Sequence, residues 1–124
     1  MILDAGFFVS IDRSERRARE FLTAAQSKGR QLHSTHPVLA QVWRNGSQQA
    51  RLARLLEAIE LHPMDDGRTV GSLLARAGTS DVVDAHLVVT AVRLSEPIMT
   101  TDTADIERLV GALPGPRPVV HAWR

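Results

Sequence analysis

Apolar residues along this chain fall into short clusters of three or four and into longer stripes that recur every three or four positions. The first cluster, Met1 to Leu3, stops at Asp4-Ala5-Gly6. A stripe follows at Ala18, Phe21, Leu22 and Ala25, the spacing of one helix face, led in by Glu15-Arg16-Arg17. Gly29 stands where a glycine ends such a helix. Gln31 to Ser34 reads as a short strand. Pro37 fits the first turn of another helix, whose apolar members are Val38, Leu39, Val42 and Trp43, until Gly46 breaks the pattern. Gln48 to Ile59 predicts a helix with Leu52, Leu55, Leu56 and Ile59 on one side, and Glu60 to Pro63 a strand. Asp65 to Ala77 is a further helix ended by Gly78, and Thr79-Ser80-Asp81 opens the most apolar helix, Val82 to Leu94. Pro97 to Thr100 reads as a buried strand, Asp102 to Leu113 as a helix, Pro114 to Pro118 as a turn, and Val119 to His121 as an edge strand. Short strands alternating with helices predict one α/β domain over residues 1–124, its central, mostly parallel sheet flanked by helices on both faces.

Composition changes the chemistry more than the fold. Cysteine is absent from the 124 residues, which excludes disulfides, thiol catalysis and Cys-bearing zinc sites. A metal must be held by oxygen or imidazole, and carboxylate ligands would favour a hard ion such as Mg²⁺ or Mn²⁺. No apolar run approaches the roughly 20 residues that span a bilayer. The N-terminus runs into a strand with no basic leader, so a cytoplasmic protein with no membrane association is expected. Net charge is only +1, and Lys28 is the sole lysine among 15 cationic residues. The arginine fork suits phosphate, although arginine-rich usage is also what a GC-rich genome produces. Arg13, Arg16, Arg17 and Arg19 with Glu15 and Glu20 read most simply as a solvated helix face.

Two strands end alike. Ile2-Leu3-Asp4 and Ile98-Met99-Thr100-Thr101-Asp102 each pass from an apolar run into an aspartate. In open α/β sheets ligands bind beyond the carboxyl ends of the strands, so the two carboxylates are candidates for one site. Each alone also fits helix capping, Asp102 as N-cap with Asp105 three residues on. Asp81 and Asp84 repeat that spacing, with one difference. Asp84 shares a helix face with Leu87, Val88 and Ala91, which places a carboxylate at the head of a buried stripe. An unpaired charge there costs several kcal/mol unless a cation relieves it. Three aspartates from three parts of the chain can surround one or two Mg²⁺ ions, which acidify water and neutralise a phosphate.

In these segments the chain resembles the PIN domains, in particular the VapC-type toxins of bacterial toxin–antitoxin pairs. The resemblance spans nearly the whole length. It rests on Leu3-Asp4, on Thr35-His36-Pro37-Val38-Leu39-Ala40-Gln41-Val42-Trp43-Arg44, on Asp81-Val82-Val83-Asp84-Ala85-His86-Leu87, and on Thr100-Thr101-Asp102. It implies a PIN-like fold and a metal-dependent endoribonuclease that acts on RNA, forms a homodimer and is silenced by a cognate antitoxin. Asp4, Asp84 and Asp102 would be the catalytic metal ligands, with Asp81, Asp105, Gln41 and Thr100 in support. Two positions depart from the pattern. Gln41 stands where the family has a glutamate, and an amide neither carries charge nor accepts a proton at working pH. Gly6 stands where many members have a small hydroxyl residue. A catalytically weak or inactive PIN-like binding protein is therefore the alternative. A phosphoryl-accepting receiver-like domain is disfavoured, because Lys28 lies in a solvated helix segment away from any acidic pocket.

Four residues near these segments invite a role. His36 and His86 are expected to be structural. Trp43 is expected in the core or a dimer interface, while Arg44 faces another way and is expected to contact RNA or reach the acidic cluster.

Overall fold

The structure, a computed structural model, describes residues 1–124. Five strands form one sheet: β1 (Ile2–Leu3), β2 (His33–Thr35), β3 (Glu60–His62), β4 (Ile98–Thr100) and β5 (Val120–Ala122). Their spatial order is β3-β2-β1-β4-β5 and every pairing is parallel. Seven helices connect them: α1 (Ala5–Asp12), α2 (Arg16–Ser27), α3 (His36–Val42), α4 (Ala50–Ala58), α5 (Gly67–Ala77), α6 (Val82–Leu94) and α7 (Thr103–Gly111). No helix is long and apolar enough to cross a membrane.

The central strand explains why the sheet needs cover on both sides. Neighbouring residues of a strand point to opposite faces, and Ile2 and Leu3 are both fully buried, as are Ile98 and Met99 beside them. The helices supply that cover in two groups. α1 contacts α2, α3 and α4, whereas α5, α6 and α7 contact one another. Phe7, Phe21 and Trp123 meet edge to face with centroids 5.1–5.7 Å apart, tying α1 and α2 to the chain that leaves β5. The Trp123 indole also donates to the Ser10 hydroxyl, 2.9 Å away.

The predicted elements are present with small shifts at their ends. Gly29 and Gly78 take positive φ angles of 64° and 69° past α2 and α5, a conformation that glycine adopts without strain. One element was not predicted. α1 directly follows β1, and it escapes the period test because it is apolar nearly all round: Phe7, Phe8, Ser10 and Ile11 are all buried.

Candidate metal centre at the carboxyl edge of the sheet

The order β2-β1-β4 brings the ends of β1 and β4 side by side, with Ile2 and Leu3 in register with Ile98 and Met99. The residues that follow these strands therefore emerge together. Asp4 caps α1, its Oδ1 accepting from the Ala5 backbone N–H at 2.7 Å. Its Oδ2 accepts from the Thr100 hydroxyl, also at 2.7 Å, and that hydroxyl in turn accepts from the Asp102 N–H at 2.9 Å. Thr100 thus clamps the two strand ends through one buried oxygen. It is the hydroxyl that the resemblance assigns a supporting role.

α6 delivers the next carboxylate. Asp81 is its N-cap and accepts from the Asp84 N–H at 3.0 Å. Asp84 begins a run buried without interruption through Ala91, and Leu87, Val88 and Ala91 are wholly inaccessible. The carboxylate does stand at the head of a buried stripe. α7 completes the group. Asp102 occupies its N-cap position but makes no side-chain capping bond, contrary to the capping expectation. Its carboxylate lies beside that of Asp105 instead. Oxygens of Asp84, Asp102 and Asp105 all lie within 4.8 Å of one another. Asp105 accordingly belongs to the tightest trio rather than to its surroundings, while Asp4 is clamped beside it.

The electrostatics of the group are one-sided. Burial pushes the Asp84 carboxyl up to about 7, reinforced by the charges of Asp4 and Asp81, a hydrogen bond with Asp81, and the charge of Asp102. Burial also raises Asp4, against the lowering effect of its bonds from Thr100 and Ala5, with Asp102 and Asp81 adding to the rise. Asp105 is raised by its hydrogen bond with Asp102 and by that neighbour's charge. No arginine, lysine or histidine forms an ion pair with any of these five aspartates. A set of carboxylate oxygens with no ion-paired protein cation suits a hard divalent ion.

The other expected residues fall into place less evenly. Gln41 lies exposed on α3 and makes no side-chain hydrogen bond to the aspartates. Arg44 does not reach the acidic group. Its guanidinium donates to the Ala40 and Trp43 carbonyls at 3.1 and 2.6 Å, satisfying the open end of α3. Trp43 packs half-buried against the core. His86 is fully buried on α6 beside the Thr90 hydroxyl, and His36 is exposed at the start of α3. Thr101 is the residue that sequence reasoning missed. A Cβ added at Gly6 would collide with the Thr101 methyl group and lie 2.6 Å from its hydroxyl. The side chain that residue 6 lacks is thus replaced in space by one from the β4–α7 turn.

No family model matches the chain, and no curated protein matches it in sequence. A solved structure does match over the whole chain, that of VapBC2 from Rickettsia felis bound to a DNA fragment from their promoter. The TM-score is 0.74 at 16% identity, covering 99% of this chain and 98% of that one. The chain thus shares the fold of that structure's matching chain, a PIN-like α/β architecture. At this identity the likeness is one of architecture, and it agrees with the resemblance that the strand-end aspartates suggested independently.

Proposed function

We propose that the 124 residues form a single nuclease domain, a metal-dependent endoribonuclease and the toxin of a type II toxin–antitoxin pair. The observation that carries this reading is the group of Asp4, Asp84, Asp102 and Asp105, backed by Asp81, at the carboxyl edge of the sheet with no cationic partner. Asp84 and Asp102 with Asp105 would hold Mg²⁺ or Mn²⁺, and Asp4 would take part through the oxygen lone pairs that Thr100 and Ala5 leave free. A bound divalent ion supplies neutralisation of the scissile phosphate and acidification of the attacking water. Thr100 holds the Asp4 carboxylate at a fixed angle and ties it to the Asp102 backbone, so two ligands move as one. Asp81 fixes the first turn of α6 and hence the height of Asp84. Asp84, poised near neutrality, can hold a proton at one oxygen until a cation displaces it.

The remaining parts of the reading follow from the resemblance and from the neighbour's nature as a VapBC2 complex. A cognate antitoxin protein is the proposed partner, RNA the substrate, a homodimer the assembled form and the cytoplasm its place. Arg44, exposed beside α3, spends its Nη1 on the Ala40 and Trp43 carbonyls and keeps Nη2 and Nε to meet RNA.

One observation favours a second reading. Gln41, exposed on α3, is neutral where the related pattern has a glutamate, so that position adds no carboxylate to the site. A PIN-like protein that binds its antitoxin or RNA without cutting has this same structure. Cleavage of a mixed structured-RNA pool by the purified protein, with Mg²⁺, Mn²⁺ or chelator, separates the two. Metal-dependent cutting that Asp84→Asn abolishes establishes the nuclease. Absence of cutting in wild type, with cutting gained by Gln41→Glu, shows the amide to be the defect and supports the binding reading.

A further inference from the structure

We propose a second metal site, at the opposite side of β1 from the last aspartates and built from His33, Glu60 and His62. The parallel register sets His33 directly beside Glu60 and Thr35 beside His62. Side chains two residues apart share a face of a strand, so all three ligands point to the same side of β2 and β3. The His33 Nδ1 and His62 Nε2 atoms are 3.0 Å apart. Glu60 closes the triangle, with one oxygen 3.6 Å from His33 Nδ1 and the other 3.9 Å from His62 Nε2. A tetrahedral ion with bonds of about 2.0–2.1 Å requires ligand atoms about 3.3 Å apart. The observed separations bracket that edge.

The chemistry of the set selects the ion. Two imidazoles and a carboxylate suit Zn²⁺, whereas Mg²⁺ prefers oxygen alone. Both histidines are buried, which fixes their rings, while the Glu60 side chain is 59% accessible and leaves a way in. The nearby N-terminal amine is already paired with Glu96 and does not compete for the site. Three protein ligands leave a fourth position for water. The ion would tie β3, a three-residue edge strand, to its only neighbour. None of the ligands belongs to the aspartate group, so this inference stands or falls separately from the nuclease reading.

The test is a titration of the full chain with Co²⁺, a spectroscopic substitute for Zn²⁺, in excess Mg²⁺ to occupy the carboxylate site. The expected result is one equivalent of Co²⁺ bound with the intense visible absorption of a four-coordinate, nitrogen-ligated ion, displaced by Zn²⁺. Glu60→Ala, on an exposed side chain, should keep the fold by circular dichroism and weaken binding at least tenfold. His62→Asn should abolish the absorption, and Asp84→Asn should leave it unchanged. Absence of Co²⁺ and Zn²⁺ binding overturns the proposal. So does binding that Glu60→Ala leaves intact, or binding that Asp84→Asn removes.

Discussion

The charged face of α2 and the carboxyl edge of the sheet use the same kinds of residue to opposite ends. On α2 each acid has its base: Arg16 meets Glu20 at 2.9 Å and Arg17 meets Glu15 at 3.1 Å, in solvent. Arg17 also lies over the Trp123 ring, 4.6 Å from its centre. At the sheet edge five aspartates converge and none forms an ion pair, Arg108 acting on Asp105 only from a distance. Exposed pairs contribute about 0–1 kcal/mol, so α2 gains little from its charges and loses little without them. A buried, unpaired carboxylate costs several kcal/mol, and a chain that keeps one there carries a cost that packing alone does not explain. The difference separates charge that merely solvates a helix from charge that the fold keeps without an ion-pair partner.

The sharpest way to break this comparison is to remove the buried charge. Asp84→Asn should lower metal-dependent RNA cleavage at least 100-fold, on the scale of losing a group that positions an ion, and yet raise the thermal stability of the metal-free protein. Differential scanning calorimetry in chelator checks the second half. A variant less stable than wild type would mean that Asp84 serves the fold.

The same asymmetry predicts a pH dependence. Asp84 titrates near 7 in the folded chain against 3.8 for the unperturbed group, so the folded state retains a proton that the unfolded state releases. Stability in chelator should therefore fall as pH rises from about 4 to about 7 and level off above. A shift of this size corresponds to roughly 2–4 kcal/mol. Saturating Mg²⁺ should flatten the slope, as should Asp84→Asn. Stability that instead rises steadily over this window in chelator would contradict the assignment of burial as the dominant cause.

A smaller effect probes the contact between the two strand ends. Gly6→Ala gains about 1 kcal/mol of helix propensity but forces its methyl group into Thr101, at a typical cost of 1–3 kcal/mol. The net expectation is a loss of about 1 kcal/mol in urea denaturation, recovered in the Gly6→Ala/Thr101→Ala double variant. Strict additivity of the two changes would mean that the side chains do not interfere. Smallest of all, Arg16→Ala or Glu20→Ala should change stability by less than about 0.5 kcal/mol, and a larger change would blur the contrast with the sheet edge.

Much of this was legible in the sequence. The strand-end pattern at Asp4 and Asp102, and the buried stripe below Asp84, gave the parallel α/β fold and the converging acids, because both depend on short-range periodicity. α1 was not legible, since a helix that is apolar on almost every side has no stripe to detect; Asp4 before it was the available signal as an N-cap. The closeness of Asp105 to Asp84 and Asp102 was not legible because capping and clustering share one spacing, and only the direction of the Asp102 side chain distinguishes them. Thr101 filling the space over Gly6, and His33 meeting His62, both depend on residues brought together by strand pairing. Three-residue strands carry too little pattern to set that register from sequence alone.

The central claim is that the unpaired aspartates hold a divalent ion, and Mn²⁺ binding measured by electron paramagnetic resonance tests it most directly. Wild-type protein should bind Mn²⁺ in competition with Mg²⁺, and Asp84→Asn should weaken that binding at least tenfold while Glu20→Ala leaves it unchanged. Equal binding by wild type and Asp84→Asn, or none by either, would contradict the account.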